Sequence, residues 1–177
     1  VEHLVGGVKQ LADAFAMQAV ANGDPTTARG YANEIARRYP DLIEAQLQAA
    51  KIAFAMHNPG LGFQISSEIK MAFPSSPVPH EIEADFYRAT KQHDKATAAY
   101  RRAWNLLPSR TLAYKLRDSL VGAGHTEHSL VPLEDWLGLH PGDVEAMTEL
   151  AAGYLGAGED ERAAAWYRKL LEVRPDD

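Results

Sequence analysis

Apolar residues recur along this chain at helical spacing, and the prolines that interrupt them recur at a nearly fixed interval. Ala96, Tyr100, Ala103 and Leu107 form one stripe, and Ala163, Tyr167, Leu170 and Leu171 form another. Residues three and four apart share a helix face, so each stripe predicts one amphipathic helix. Pro40, Pro74, Pro108, Pro141 and Pro175 follow at intervals of 34, 34, 33 and 34 residues. A proline cannot continue a helix interior, so each marks the end of a unit. Other columns keep the same interval. Ala16, Ala50, Ala84 and Ala151 share one, with Arg117 the exception; Ala28, Gly62, Ala96, Ser129 and Ala163 share a second, every member small. Ala19, Ala53, Tyr87, Leu120 and Tyr154 make a third, and Ala32, Ser66, Tyr100, Leu133 and Tyr167 a fourth. Small residues let antiparallel helices approach closely, and the aromatics fill the wedge between a hairpin and the next.

Turn chemistry falls between the stripes. Asn22-Gly23-Asp24-Pro25, His57-Asn58-Pro59, Gly122-Ala123-Gly124 and Gly156-Ala157-Gly158 each supply a left-handed stop or a capping side chain, and in the first two a proline fits the next helix's first turn. The pattern predicts five helical hairpins at about 9–42, 43–76, 77–109, 110–143 and 144–177, with an extended link at Ser75–Pro79. No stretch alternates with period two for long enough to suggest a strand.

A period of 34 with small and aromatic columns resembles the tetratricopeptide repeat (TPR), best in the third and fifth units. The first-helix Trp usual in that family is missing throughout. The resemblance implies an all-α fold, a right-handed α-solenoid of about five helix-turn-helix repeats in a single array. Such hairpins cannot bury their apolar faces alone, so neighbours share a core. It also implies that first helices line the concave face and second helices the convex one.

Carried through that register, the groove is lined by Gln10, Asp13 and Met17; Glu44, Gln48, Lys51 and Phe54; Glu81, Asp85 and Arg88; Tyr114, Lys115 and Asp118; and Glu145, Thr148 and Glu149. Seven of these are acidic and three basic, which suits a neutral or basic partner segment, with Lys51, Arg88, Tyr114 and Lys115 as specific contacts. The same residues also fit a plainer description, the solvated faces of amphipathic helices in an acidic chain. Chaperone-binding members of the family grip a terminal carboxylate with cations on successive first helices. The matching columns here hold Asp13, Leu47, Glu81 and Tyr114, then Met17, Lys51, Asp85 and Asp118, and acids there repel a carboxylate.

Composition narrows the remaining possibilities. The formal net charge of −6 gives no basic face for nucleic acid. No apolar run approaches the roughly 18 residues of a membrane span. Without cysteine there are no disulfides, thiol nucleophiles or cysteine metal sites. His125 and His128 flank Glu127, but no third metal ligand is fixed by spacing, and a polar turn accounts for them. The segment Gly122–Gly124 lacks the strand and lysine of a phosphate loop, and no serine has a His/Asp arrangement around it. The residues therefore predict neither a cofactor nor an enzyme, but a protein or peptide partner.

From about His80 onward, ADFYRATKQHDKATAAYRRAWNLLPS, LAYKLRDSLVGAG and LEDWLGLHPGDVEAMTELAAGYLGAGEDERAAAWYRKLLEVRPDD follow one another. This part resembles the TPR lipoproteins of PEP-CTERM/exosortase systems (the PrsT family), chiefly through Trp136-Leu137 followed by His140-Pro141-Gly142-Asp143. That resemblance implies a bacterial envelope scaffold tied to exopolysaccharide production and protein sorting, periplasmic or anchored at the outer membrane. The alternative is a cytoplasmic regulatory or assembly module of the same fold, or the non-catalytic arm of a larger enzyme. The chain opens at Val1 and stops at Asp177 where a repeat ends, and it reads as part of a longer polypeptide. The apolar second helix of the last hairpin predicts weak self-association through the array ends.

Overall fold

The computed structural model describes residues 43–173 and, before them, Asn22, Asp24, Thr27 and Gly30. Among these residues there are eight α-helices and no strand: α1 (Ile43–Ala55), α2 (Pro59–Ala72), α3 (Val78–Ala89), α4 (His93–Leu106), α5 (Arg110–Gly122), α6 (Val131–Leu139), α7 (Val144–Gly156) and α8 (Asp160–Val173). The fold class is the all-α, solenoid-type arrangement that the period predicts. Of the first predicted hairpin, Asp24 accepts a hydrogen bond from the Thr27 backbone N–H (3.0 Å), the capping contact expected there; most of that hairpin lies outside the described residues. The helices group into two compact units, with the boundary between Thr90 and Lys91, inside the turn of the third predicted hairpin.

Helix ends follow local chemistry. Asn58, Ser109 and Asp143 cap α2, α5 and α7 by accepting from the N–H three residues on. The residue closing each first helix turns left-handed at His57, Lys91, Gly124 and Gly158. The link before α3 departs from the expectation. Ser75–Pro79 is not extended throughout, because α3 starts at Val78 and Pro79 sits buried in its first turn, where a proline has no bond to lose. In the fourth hairpin a 3₁₀ turn, Thr126–His128, precedes a nine-residue α6 whose start is set by Pro132. Leu107, expected on the α4 stripe, lies past the helix end in extended backbone and is exposed.

In the first unit Ala50, Ile52, Ala53, Ile65, Ile69 and Ala84 are buried, and Phe54, Phe63 and Phe86 pack as an aromatic cluster. A Cβ on Gly62 would come within 2.6 Å of the Phe54 ring, so the small-residue column here is a true close approach of α1 and α2. Lys70 and Glu83 join α2 to α3 through a 2.7 Å ion pair. In the second unit Tyr100, Leu112, Leu116, Leu133, Leu150 and Tyr154 form the core, each at most 2 % exposed. Buried Ser119 donates to the His93 carbonyl and pairs with the Thr97 hydroxyl, tying α4 to α5. Tyr167 is the member of the aromatic column that fills no wedge: it is 39 % exposed on α8, with no described helix beyond it.

Ala96 and Ala163 occupy the small column and are 0 % and 2 % exposed. Ala96→Leu or Ala163→Leu should overpack the second unit and cost about 1–3 kcal/mol. Thermal melts of the two variants check this, and unchanged midpoints in both would contradict the register.

Candidate functional site

Two first-helix faces carry the residues singled out from the sequence, one in each unit. Asp13, Met17 and Gln10 lie outside the described residues, and so does the side chain of Glu44, which belongs to the first turn of α1. On α1, Gln48 is half-buried and Lys51 exposed; on α3, Glu81 and Asp85 are half-buried and Arg88 exposed. Lys51 and Asp85 are 34 residues apart and line one pocket of about 250 Å³ with Phe54, Ile82 and Phe86. Phe54 was expected at the groove surface. It is instead 6 % exposed and forms the pocket's floor, held by a stacked contact with Phe86 at 4.7 Å and an edge contact with Phe63 at 4.9 Å.

The second unit gathers more charge than expected, and of both signs. Glu145 and Glu149 on α7 each meet an arginine of α5 one repeat earlier: Arg110 bonds Glu145 at 2.6 Å and Asp143 at 3.3 Å, and Arg117 bonds Glu149 at 2.9 Å and Asp118 at 3.0 Å. The acidic column is therefore partly neutralised by two side chains that the sequence had not assigned to it. Tyr114 lies half-buried among them; burial, then the charges of Glu145 and Glu149, push its phenol above the ordinary range. Lys115 turns away toward the Tyr100 ring, 5.6 Å from its centre. Thr148 satisfies its hydroxyl on the Val144 carbonyl within α7.

Beside this ladder opens a cleft of about 820 Å³, bounded by α5, the 3₁₀ turn, α6 and the end of α7. Arg162 reaches into it from α8, bonding Glu134 and Glu159 at 2.9 Å each and covering the Tyr154 ring at 4.1 Å. The Tyr154 hydroxyl donates to Glu134. Burial and that carboxylate together hold the phenol far above its ordinary range. The repeat column assigns Tyr154 to the wedge between hairpins, and its ring is buried at 2 % exposed; the cleft that its hydroxyl reaches has no counterpart in the column.

The Trp136–Asp143 segment is a structural junction. The Trp136 indole N–H donates to Asp143 (2.8 Å) and its ring lies 3.8 Å from that of His140. His125 and His128 approach different carboxylates, Asp94 and Glu127, each at 3.4 Å. Among the described residues no group of three or more His, Asp or Glu could hold a metal ion, and no helix is long and apolar enough to cross a membrane.

No family model matches the chain. Solved structures do. The crystal structure of MamA protein superposes with a TM-score of 0.61 at 18% identity, covering 96% of this chain and 93% of that one. A thermophilic TPR protein of Thermus thermophilus gives 0.56 at 19% identity, covering 96% and 93%. MamA from Desulfovibrio magneticus RS-1, residues 41 to the end, gives 0.59 at 16%, covering 96% and 97%. The fold is thus of the tetratricopeptide type.

Proposed function

We propose that this chain is a non-catalytic scaffold that holds segments of partner proteins on its first-helix faces. The observation that carries the reading is the pair Lys51 and Asp85, one repeat apart, flanking an apolar pocket floored by Phe54, Ile82 and Phe86. Opposite charges over an apolar floor suit a peptide: the floor takes a side chain, and the rim takes backbone or polar groups. The likeness in fold to TPR proteins supports the same reading.

The setting we propose is a bacterial envelope system for protein sorting linked to exopolysaccharide production, with the full-length protein periplasmic or anchored at the outer membrane. The support is the resemblance of the chain from His80 onward. A photo-crosslinking amino acid placed at Lys51 or Glu149, both exposed on first helices, should yield discrete protein adducts in the native cell. The same probe at Arg102 or Arg168, exposed on second helices, should yield few. Adducts confined to the second-helix positions, or none at all, would defeat the proposal. Fractionation of the adducts between periplasm, membrane and cytosol tests the setting separately.

A further inference from the structure

The cleft of the second unit has a charge balance that selects its occupant. We propose that it takes a lysine or arginine side chain of a bound peptide segment, with small apolar neighbours on either side. The inference rests on the scaffold reading above and adds the chemistry of the partner.

Both guanidiniums at the cleft are already divided between carboxylates. Arg117 is shared by Asp118 and Glu149, and Arg162 by Glu134 and Glu159. Each trio carries two negative charges against one positive. Glu127, on the 3₁₀ turn at the rim, adds another carboxylate. An entering anion would have to take an arginine from two partners that hold it at about 3 Å. An entering cation meets the surplus negative charge directly, and a charge-assisted bond to a carboxylate is among the stronger polar contacts available.

The walls fit the rest of such a side chain. Val121, Leu130, Val131 and Ala152 line the cleft between the charged groups. Long basic side chains lay their methylene stems along surfaces of this kind while the charged head reaches polar partners. At about 820 Å³ the cleft has room for the side chain and the adjoining backbone of a segment. The Tyr154 hydroxyl is committed to Glu134, which leaves the carboxylates as the acceptors on offer.

The test is selection of a phage-displayed library of random peptides, about a dozen residues long, on the whole chain. Affinities of the enriched peptides are then measured on three proteins: the wild type, Gly156→Tyr, and Glu149→Gln combined with Glu159→Gln. Gly156 lines the cleft, and a Cβ built there meets nothing within 4 Å, so tyrosine fills the cleft without crowding the core. Far-UV circular dichroism verifies that each variant folds. Expected are peptides enriched in lysine or arginine beside small apolar residues, binding abolished by Gly156→Tyr, and a loss of about tenfold in the double Gln variant. Bound peptides without basic enrichment, or basic peptides indifferent to both variants, would overturn the inference and leave the scaffold reading standing. Failure to enrich any peptide would count against both.

Discussion

Asp143→Ala should destabilise the second unit by about 2–4 kcal/mol. Asp143 accepts from three donors at once: the Ala146 backbone N–H at 3.1 Å, the Trp136 indole at 2.8 Å and Arg110 at 3.3 Å. Loss of a helix cap costs about 1 kcal/mol, and a half-buried indole N–H left without its acceptor about 1–3 more. Asp143→Asn keeps one acceptor oxygen for the Oδ1 cap but presents an NH2 group where the indole bonds Oδ2, so a loss of about 1–3 kcal/mol is expected, smaller than for Ala by the cap. The charge matters in its own right. Burial opposes ionisation of this carboxyl, but hydrogen bonds from Trp136 and Ala146, then Arg110, outweigh it and hold the carboxyl below its ordinary value of 3.8. A group depressed in the folded state contributes stability above its unfolded value, and that contribution is lost as pH falls through the folded one. The wild type should therefore lose more stability than Asp143→Asn between neutrality and about pH 3. Urea titrations at both pH values, followed by tryptophan fluorescence, measure this; the three tryptophans, Trp104, Trp136 and Trp166, all lie in the second unit. Equal stability of the Ala and Asn variants at neutral pH would remove Asp143 from this role.

Phe54→Ala should cost the first unit about 3–5 kcal/mol, the range for deleting a buried aromatic ring. Phe54 is 6 % exposed, stacks on Phe86, meets Phe63 edge-on and fills the space that Gly62 leaves open. Aromatic pairing adds to the area that the ring removes from water. Helical circular dichroism on heating reads the loss, since the first unit contains no tryptophan. The same variant should weaken any peptide crosslinked through Lys51, because the pocket floor goes with the ring. A melt within a degree or two of the wild type would mean that α2 and α3 pack without it.

The repeats were legible because burial is periodic. Ala50, Ala84 and Ala151 are fully buried, as their column requires, and so is Ala96 in the small column. Individual residues within the period were harder to read. Arg117 stood out as the one charged member of an alanine column, and the structure explains it: its side chain leaves the core line and joins Glu149 on the next first helix. That exception was the visible signal for the charge ladder. The cleft had no such signal. Glu134, Tyr154 and Arg162 come from three helices, and their meeting depends on where α6 begins, which Pro132 and the 3₁₀ turn decide together. The Trp136–Asp143 run has a physical meaning in the structure, an indole clamped to the capping residue of the next helix.

Among the described residues the left-handed corners fall at His57, Lys91, Gly124 and Gly158, intervals of 34, 33 and 34 residues, yet only two of these are glycine. A side-chain-bearing residue in that conformation costs about 1–2 kcal/mol, which the two flanking helices must offset. The corner is thus imposed by the helices and not by the residue type that occupies it. Under substitution this makes the interval more durable than the letters. A corner can exchange glycine for histidine or lysine and keep its place, whereas one residue inserted within a helix would rotate every later side chain of that helix by about 100° about its axis. What such an array has to keep is a count.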